Sequence, residues 1–148
     1  MPIVAERDVS IRTETLSPES VDHQPTVLII DDDENLCTCF RRICGSSGME
    51  VHEAHSGADG FLLAIEHVPD VVVTDLVMPL GMGDEVVDAL KHCEITRAIP
   101  VIVITGLRDE DLIERMHSFG VREVFYKPFR FDELLQAVLS AARGARRK

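Results

Sequence analysis

The chain is punctuated by short, almost wholly apolar runs of mainly β-branched residues, each stopping at a polar one. They are Val27-Leu28-Ile29-Ile30 before Asp31, Val71-Val72-Val73-Thr74 before Asp75, and Val101-Ile102-Val103-Ile104 before Thr105. A strand with one wet face alternates apolar and polar residues. An unbroken run of four therefore points to a strand covered on both faces. Between the runs the period changes. Leu36, Cys39, Phe40 and Ile43 recur at i, i+3, i+4 and i+7, one stripe of a helix that Gly45 and Gly48 can end. Ser56-x-x-Asp59 predicts a capping box for a helix through His67, and Met49 to Ala54 a strand before it. Further helices are expected with Val86, Val87 and Leu90 on a buried face, from Asp109 to Phe119, and from Asp132 to Ala141. Val121 to Tyr126 reads as a shorter strand, and Met78 to Gly83 as a loop.

Five strands alternating with five helices predict an α/β fold: a doubly wound (βα)5 unit with a five-stranded parallel sheet and helices on both faces. With 148 residues, 45% hydrophobic but only 5% aromatic, the chain can fill one aliphatic core and not two. The expected organisation is a flexible N-terminal arm over 1–25, one folded domain over 26–141 and a basic tail over 142–148. In such sheets ligands bind off the C-terminal ends of the strands. That rule brings Asp31, Asp32, Asp75, Thr105 and Lys127, distant in sequence, to one edge.

Carboxylates crowded together stay ionised only when a cation sits among them. Oxygen donors completed by water suit magnesium. A carboxylate beside magnesium and a lysine is suited to accept a phosphoryl group, because both cations neutralise the charge that develops on its oxygens. A neighbouring threonine hydroxyl can hydrogen-bond the product. The net charge of −11 argues against a chain whose whole surface binds nucleic acid or anionic lipid. The basic residues from Arg143 onward read as a solvated end. No apolar run reaches the length of a membrane span or of a signal peptide, so a cytoplasmic protein is expected. Cys37, Cys39 and Cys44 share one predicted helix, with Cys93 elsewhere. Their spacing is a poor zinc signature, and they read as reduced, space-filling thiols.

Taken together, Val27 to Asp33, Pro69 to Pro79, Ile104-Thr105-Gly106 and Tyr126-Lys127-Pro128-Phe129 resemble the receiver (phosphoacceptor) domain of bacterial two-component response regulators. The resemblance covers Thr26 to Ala141 and implies the flavodoxin-like form of the doubly wound sheet. It makes Asp75 the phosphorylated residue, Asp32 a direct magnesium ligand and Asp31 the second acidic residue. The Val77 backbone carbonyl would complete the metal shell, Thr105 would be the switch hydroxyl, and Lys127 would pair with the phosphate. Asp33 is left to face solvent or cap the following helix. The resemblance implies Mg2+ as cofactor and a histidine kinase or histidine phosphotransfer protein as donor. The output is a downstream protein target, with a homodimer as one form it could take, and neither membrane nor direct nucleic-acid binding. The chain is then a phosphoacceptor regulator, not an enzyme beyond its own phosphoryl transfer and slow self-dephosphorylation. Because it ends soon after its last helix, it is expected to be a single-domain regulator or an excerpt of a longer protein.

Two positions depart from the family pattern. Val124 stands where an aromatic switch residue is usual, three before the lysine, and Pro79-Leu80-Gly81-Met82-Gly83 lacks the acidic residue of Pro-x-x-Asp-Gly. Rival readings fare worse. Asp31-x-Asp33-x-Asn35 starts like a calcium loop, but Leu36 and Arg42 stand where glycine and glutamate belong. A haloacid dehalogenase-type magnesium phosphatase, with Asp31 as nucleophile, would want Thr or Val at Asn35 and a larger, capped domain. A pseudo-receiver that only binds partners would not need every site position filled. His67 and His92 read as solvent-facing helix residues.

Overall fold

The computed structural model describes residues 23–78 and 81–146. Strand β1 (Thr26–Ile30) leads into helix α1 (Glu34–Ser46), then β2 (Glu50–Ala54), α2 (Gly57–His67) and β3 (Val71–Asp75). A two-residue ribbon follows, β4 (Val77–Met78) with β5 (Gly81–Met82), before α3 (Gly83–Lys91). The chain continues through β6 (Val101–Thr105), α4 (Glu110–Ser118), β7 (Glu123–Tyr126) and α5 (Phe131–Arg146). The main sheet has five strands in the order β2-β1-β3-β6-β7, all paired parallel. The order reverses direction at β1 and β3, the two strands that end in Asp31 and Asp75. This is the flavodoxin-like topology expected of the sequence.

The apolar runs explain both the sheet and its two cores. Strand residues alternate between faces. Leu28, Ile30, Val72, Val101 and Val103 face α2, α3 and α4, where they meet Ala64, Val87, Leu90 and Met116. Val27, Ile29, Val71, Val73, Ile102 and Ile104 face α1 and α5, where they meet Cys37, Phe40, Leu134 and Val138. Burying each such aliphatic side chain contributes about 1.5–3 kcal/mol, taken against an extended unfolded chain.

Helix ends follow local chemistry. Asp33 caps α1, its carboxylate accepting from the Asn35 and Leu36 amides; Ser56 caps α2 through the Asp59 amide; Asp109 caps α4 through that of Leu112. Helix α2 ends with Val68 in the left-handed region at φ 44°, a costly conformation for a β-branched residue, immediately before Pro69.

Four details differ from the sequence reading. The buried side of α1 is Cys37, Phe40 and Cys44, while Cys39 is exposed. The stripe is rotated by about one residue because α1 packs between β2 and α5. Cys39 is therefore not a core filler. The Met78–Gly83 loop contains an antiparallel ribbon, Val77 opposite Met82 and Met78 opposite Gly81. The last strand begins at Glu123, although Val121 is buried below it. Finally, α5 runs past Ala141 to Arg146, since Ala142 still packs into the core. Most of the expected N-terminal arm lies outside the described residues. Of it, His23 pairs with Asp70, and the Pro25 carbonyl accepts from the Glu50 amide.

Gly60 sets the approach of α2 to the sheet. A Cβ there would meet Ile30, lying 2.8 Å from its Cγ1 and closer still to its Cδ1. Alanine normally gains about 0.5–1 kcal/mol over glycine inside a helix, but overpacking a rigid core costs about 1–3 kcal/mol. Gly60→Ala should therefore destabilise the protein, measured as a lower midpoint in urea with an unchanged slope.

Candidate functional site

The C-terminal edge of the sheet gathers polar residues that the apolar runs deliver there. Asp31 follows β1 directly, and its amide continues the pairing with β2 by donating to the Ala54 carbonyl at 3.0 Å. The residue is fully buried. Its Oδ1 accepts from the Asp33 amide at 2.9 Å, and Oδ2 from Lys127 Nζ at 3.2 Å. Asp75, the last residue of β3, is only 4% exposed. Its Oδ1 accepts from the Val77 amide at 3.2 Å, and Oδ2 from Lys127 Nζ at 3.1 Å. One ammonium thus bridges the ends of two neighbouring strands.

Lys127 is aimed by the strand that carries it. Its amide donates to the Thr105 carbonyl at 2.8 Å, holding the residue after β7 against the end of β6, and a cis peptide joins it to Pro128. Thr105 is fully buried, and its hydroxyl accepts from the Leu107 amide at 3.0 Å, shaping the turn that leaves β6. Asp32 is exposed beside this group. Oxygens of Asp31, Asp32 and Asp75 lie within 4.8 Å of one another. Val77 lies two residues after Asp75 and is 44% exposed at the rim.

All six expected site residues therefore converge. Asp33 does not join them, because its carboxylate is spent on the α1 cap. Two neighbours escaped the sequence reading. The buried Cys37 thiol donates to the Asp31 carbonyl at 3.5 Å. Arg108 stacks over the Tyr126 ring, 4.4 Å from its centre. Neither pairing follows from spacing, since each joins separate elements. Val124, at the usual aromatic position, is half-buried and packs on the core shared by α2, α3 and α4. Beside Lys127 lies an open, mostly apolar cleft of about 300 Å3 that includes Leu36, Cys39, Pro128, Phe129 and Phe131.

The electrostatics are lopsided: three carboxylates face one ammonium. Burial pushes the Asp31 carboxyl above the ordinary range. The Asp33 amide and Lys127 oppose that rise, while the charge of Asp75 adds to it. Burial works against the Lys127 ammonium, but its hydrogen bonds and proximity to Asp75 and Asp31 outweigh burial and hold it above its usual value. Hard oxygen donors carrying excess negative charge at a half-open edge fit a small divalent cation such as magnesium. The Cys37 and Cys44 thiols are pushed up to about 12, mainly by burial, and are protonated at neutral pH while no metal is bound.

The family model for the response regulator receiver domain matches residues 27–139. The polar-differentiation response regulator DivK of Brucella ovis is 34% identical over 120 residues, covering 79% of this chain and 98% of DivK. The sensor histidine kinase TmoS of Ectopseudomonas mendocina is also 34% identical, over 117 residues, covering 79% of this chain; the match spans only 12% of that kinase. A CheY-like receiver domain from Methanospirillum hungatei superposes with a TM-score of 0.77 at 21% identity, covering 84% of this chain and 98% of that one, and supports the fold. The chain belongs to the response regulator receiver domain family. It is a receiver domain of two-component signalling, a family of phosphoacceptor regulators and not of classical enzymes.

Asp31 is both buried and crowded by Asp75, so its ionised form is destabilising in the absence of a metal. With its folded-state pKa raised, the stability tied to this group is complete below the ordinary carboxylate range. It is lost as pH rises through the shifted value. Asp31→Asn should raise the thermal midpoint in metal-free buffer at neutral pH, and the gain should fade at acid pH. Calorimetry at both pH values checks this.

Proposed function

We propose that this receiver takes a phosphoryl group on Asp75 from a phosphohistidine of a histidine kinase or histidine phosphotransfer protein. A carboxylate oxygen of Asp75 attacks phosphorus, the phosphorus–nitrogen bond breaks, and the imidazole leaves. The observation that carries this reading is the Lys127 ammonium, 3.1 Å from Asp75 Oδ2 and 3.2 Å from Asp31 Oδ2. It already stands where charge would develop on the transferred group. Asp31, Asp32, Asp75 and the Val77 carbonyl would hold magnesium, which supplies further charge neutralisation when bound. Thr105 is spending only a lone pair on the Leu107 amide. Its proton can therefore turn to a phosphoryl oxygen.

Once phosphate takes the Lys127 contact, the direct bridge between β1 and β3 must rearrange, and that rearrangement is the signal. The functional unit is 26–141, with α5 continuing beyond it. Its output is contact with a downstream protein, including self-association as one form. Free thiols and a phosphohistidine donor support a cytoplasmic setting. Among the described residues no helix is long and apolar enough to cross a membrane.

Treatment with a small acyl phosphate and magnesium, read by intact mass, should add one phosphoryl group to wild type and none to Asp75→Asn. Sustained turnover of a phosphomonoester without an adduct would favour a phosphatase instead. Asp32→Ala should abolish magnesium binding and phosphorylation. Asp33→Ala should cost about 1 kcal/mol through the lost cap and spare both. Equal loss of magnesium affinity in the two variants would reverse the assignment.

Self-dephosphorylation is expected to be slow. In this family the side chains two positions after the phosphorylated aspartate and two after the switch threonine orient or obstruct the attacking water. Here they are Val77, exposed at the rim, and Leu107, half-buried against the core. Neither side chain can hydrogen-bond water. A positioning contact is worth about 100-fold in rate. Val77→Asn with Leu107→Glu should accelerate phosphate loss in magnesium buffer towards that extent. An unchanged rate would show that other groups control the water.

A further inference from the structure

A second group of ligand-type side chains converges away from the acidic edge. Cys37 on α1, Glu53 near the end of β2 and His55 just beyond it each offer one ligand atom, and the three atoms lie within 4.8 Å of one another. The fold explains the meeting. Residues two apart on extended chain share a face, so Glu53 and His55 point the same way. That face is the one on which α1 packs, as the Arg41–Glu53 ion pair records.

The Glu53 carboxylate is already oriented. Arg41 Nε donates to its Oε2 at 2.8 Å, and the Arg41 Nη2 reaches the same oxygen. Oε1 is left to face His55 Nε2 at 3.2 Å. A carboxylate held from behind by a guanidinium, with its second oxygen turned to an imidazole, has the form of a metal ligand with an outer-shell partner.

We propose that Cys37, Glu53 and His55 form a binding site for zinc, with a water completing a four-coordinate shell. One sulfur, one nitrogen and one oxygen make a donor set that zinc accepts and magnesium does not. Zinc–ligand bonds of about 2.0–2.3 Å place tetrahedral ligand atoms roughly 3.3–3.8 Å apart. Separations of up to 4.8 Å can close to that range by side-chain rotation of Glu53 and of His55, whose side chain is 46% exposed. The ion enters from the His55 side. Cys37 exchanges its thiol proton for a zinc–sulfur bond, releasing one proton to solvent and giving up its hydrogen bond to the Asp31 carbonyl. Glu53 supplies the oxygen ligand and His55 the nitrogen. The bound ion braces α1 against β2 at the same end of the sheet as Asp31, and this does not depend on Asp75 being phosphorylated.

Cobalt(II) serves as the spectroscopic probe. The full chain, reduced and metal-free, is titrated in excess magnesium so that the oxygen-only site is covered. Wild type should show a near-ultraviolet thiolate-to-cobalt charge-transfer band with four-coordinate visible bands, saturating at one ion per chain and erased by zinc. Cys37→Ala and His55→Ala should each weaken binding by roughly 10-fold or more, whereas Asp32→Ala should titrate like wild type. Because Cys37 is buried and its variant could misfold, the exposed His55→Ala, checked by circular dichroism, carries the result independently. Absence of the charge-transfer band in wild type overturns the proposal. So does an unchanged cobalt affinity in His55→Ala, or loss of the band in Cys39→Ala, which would move the site to the exposed thiol on the same helix.

Discussion

The contact on which the functional edge depends is one lysine ammonium shared by two aspartates. Lys127 arrives from the last strand and closes on the ends of β1 and β3, which lie side by side where the strand order turns. Two buried carboxylates at that distance would repel one another in a medium that screens poorly. The ammonium removes that cost in part and aligns both carboxylates. It leaves a net negative edge with an exposed third aspartate, a state that a divalent cation or a phosphoryl group with its cation can exploit. In the proposed transfer the same lysine is a structural bridge beforehand and would stabilise the charge on the phosphoryl oxygens during it.

That bridge holds only because the strands carrying it are rigid. Each central strand is buried on both faces, by α2, α3 and α4 on one side and by α1 and α5 on the other. Rigid strands ending in flexible connections are how this fold can place a few polar groups accurately and still let the loops around them change. The half-buried Val124 and the Arg108–Tyr126 stack give this chain a different surface next to Lys127 from one built on a rotating aromatic at the usual position. A response to phosphate here would have to pass through other side chains.

Much of this was legible in advance because the information is local. An unbroken apolar run names a doubly covered strand, a capping aspartate names a helix start, and the rule on strand ends turns five scattered residues into one site. Reading failed where neighbours in space decide. Cys39 belongs to the apolar stripe by period, yet the angle at which α1 packs turns it outward and buries Cys37 and Cys44 instead. The extension of α5 to Arg146 is similarly a matter of what Ala142 packs against, not of the composition of a basic end.

By itself, then, the order of residues determined the five alternating units and the polar residue at the end of each central strand, since both follow from period and position along one segment, while the candidate phosphoacceptor role of Asp75 is what the resemblance to receiver domains implies. Tertiary structure alone decided that Lys127 bridges Asp31 and Asp75, and that Cys37 stands beside Glu53 and His55. Those contacts join residues from different elements. Their distances depend on how helices and strands pack, and that packing is set by the summed burial of the whole core, which no single stretch of chain encodes.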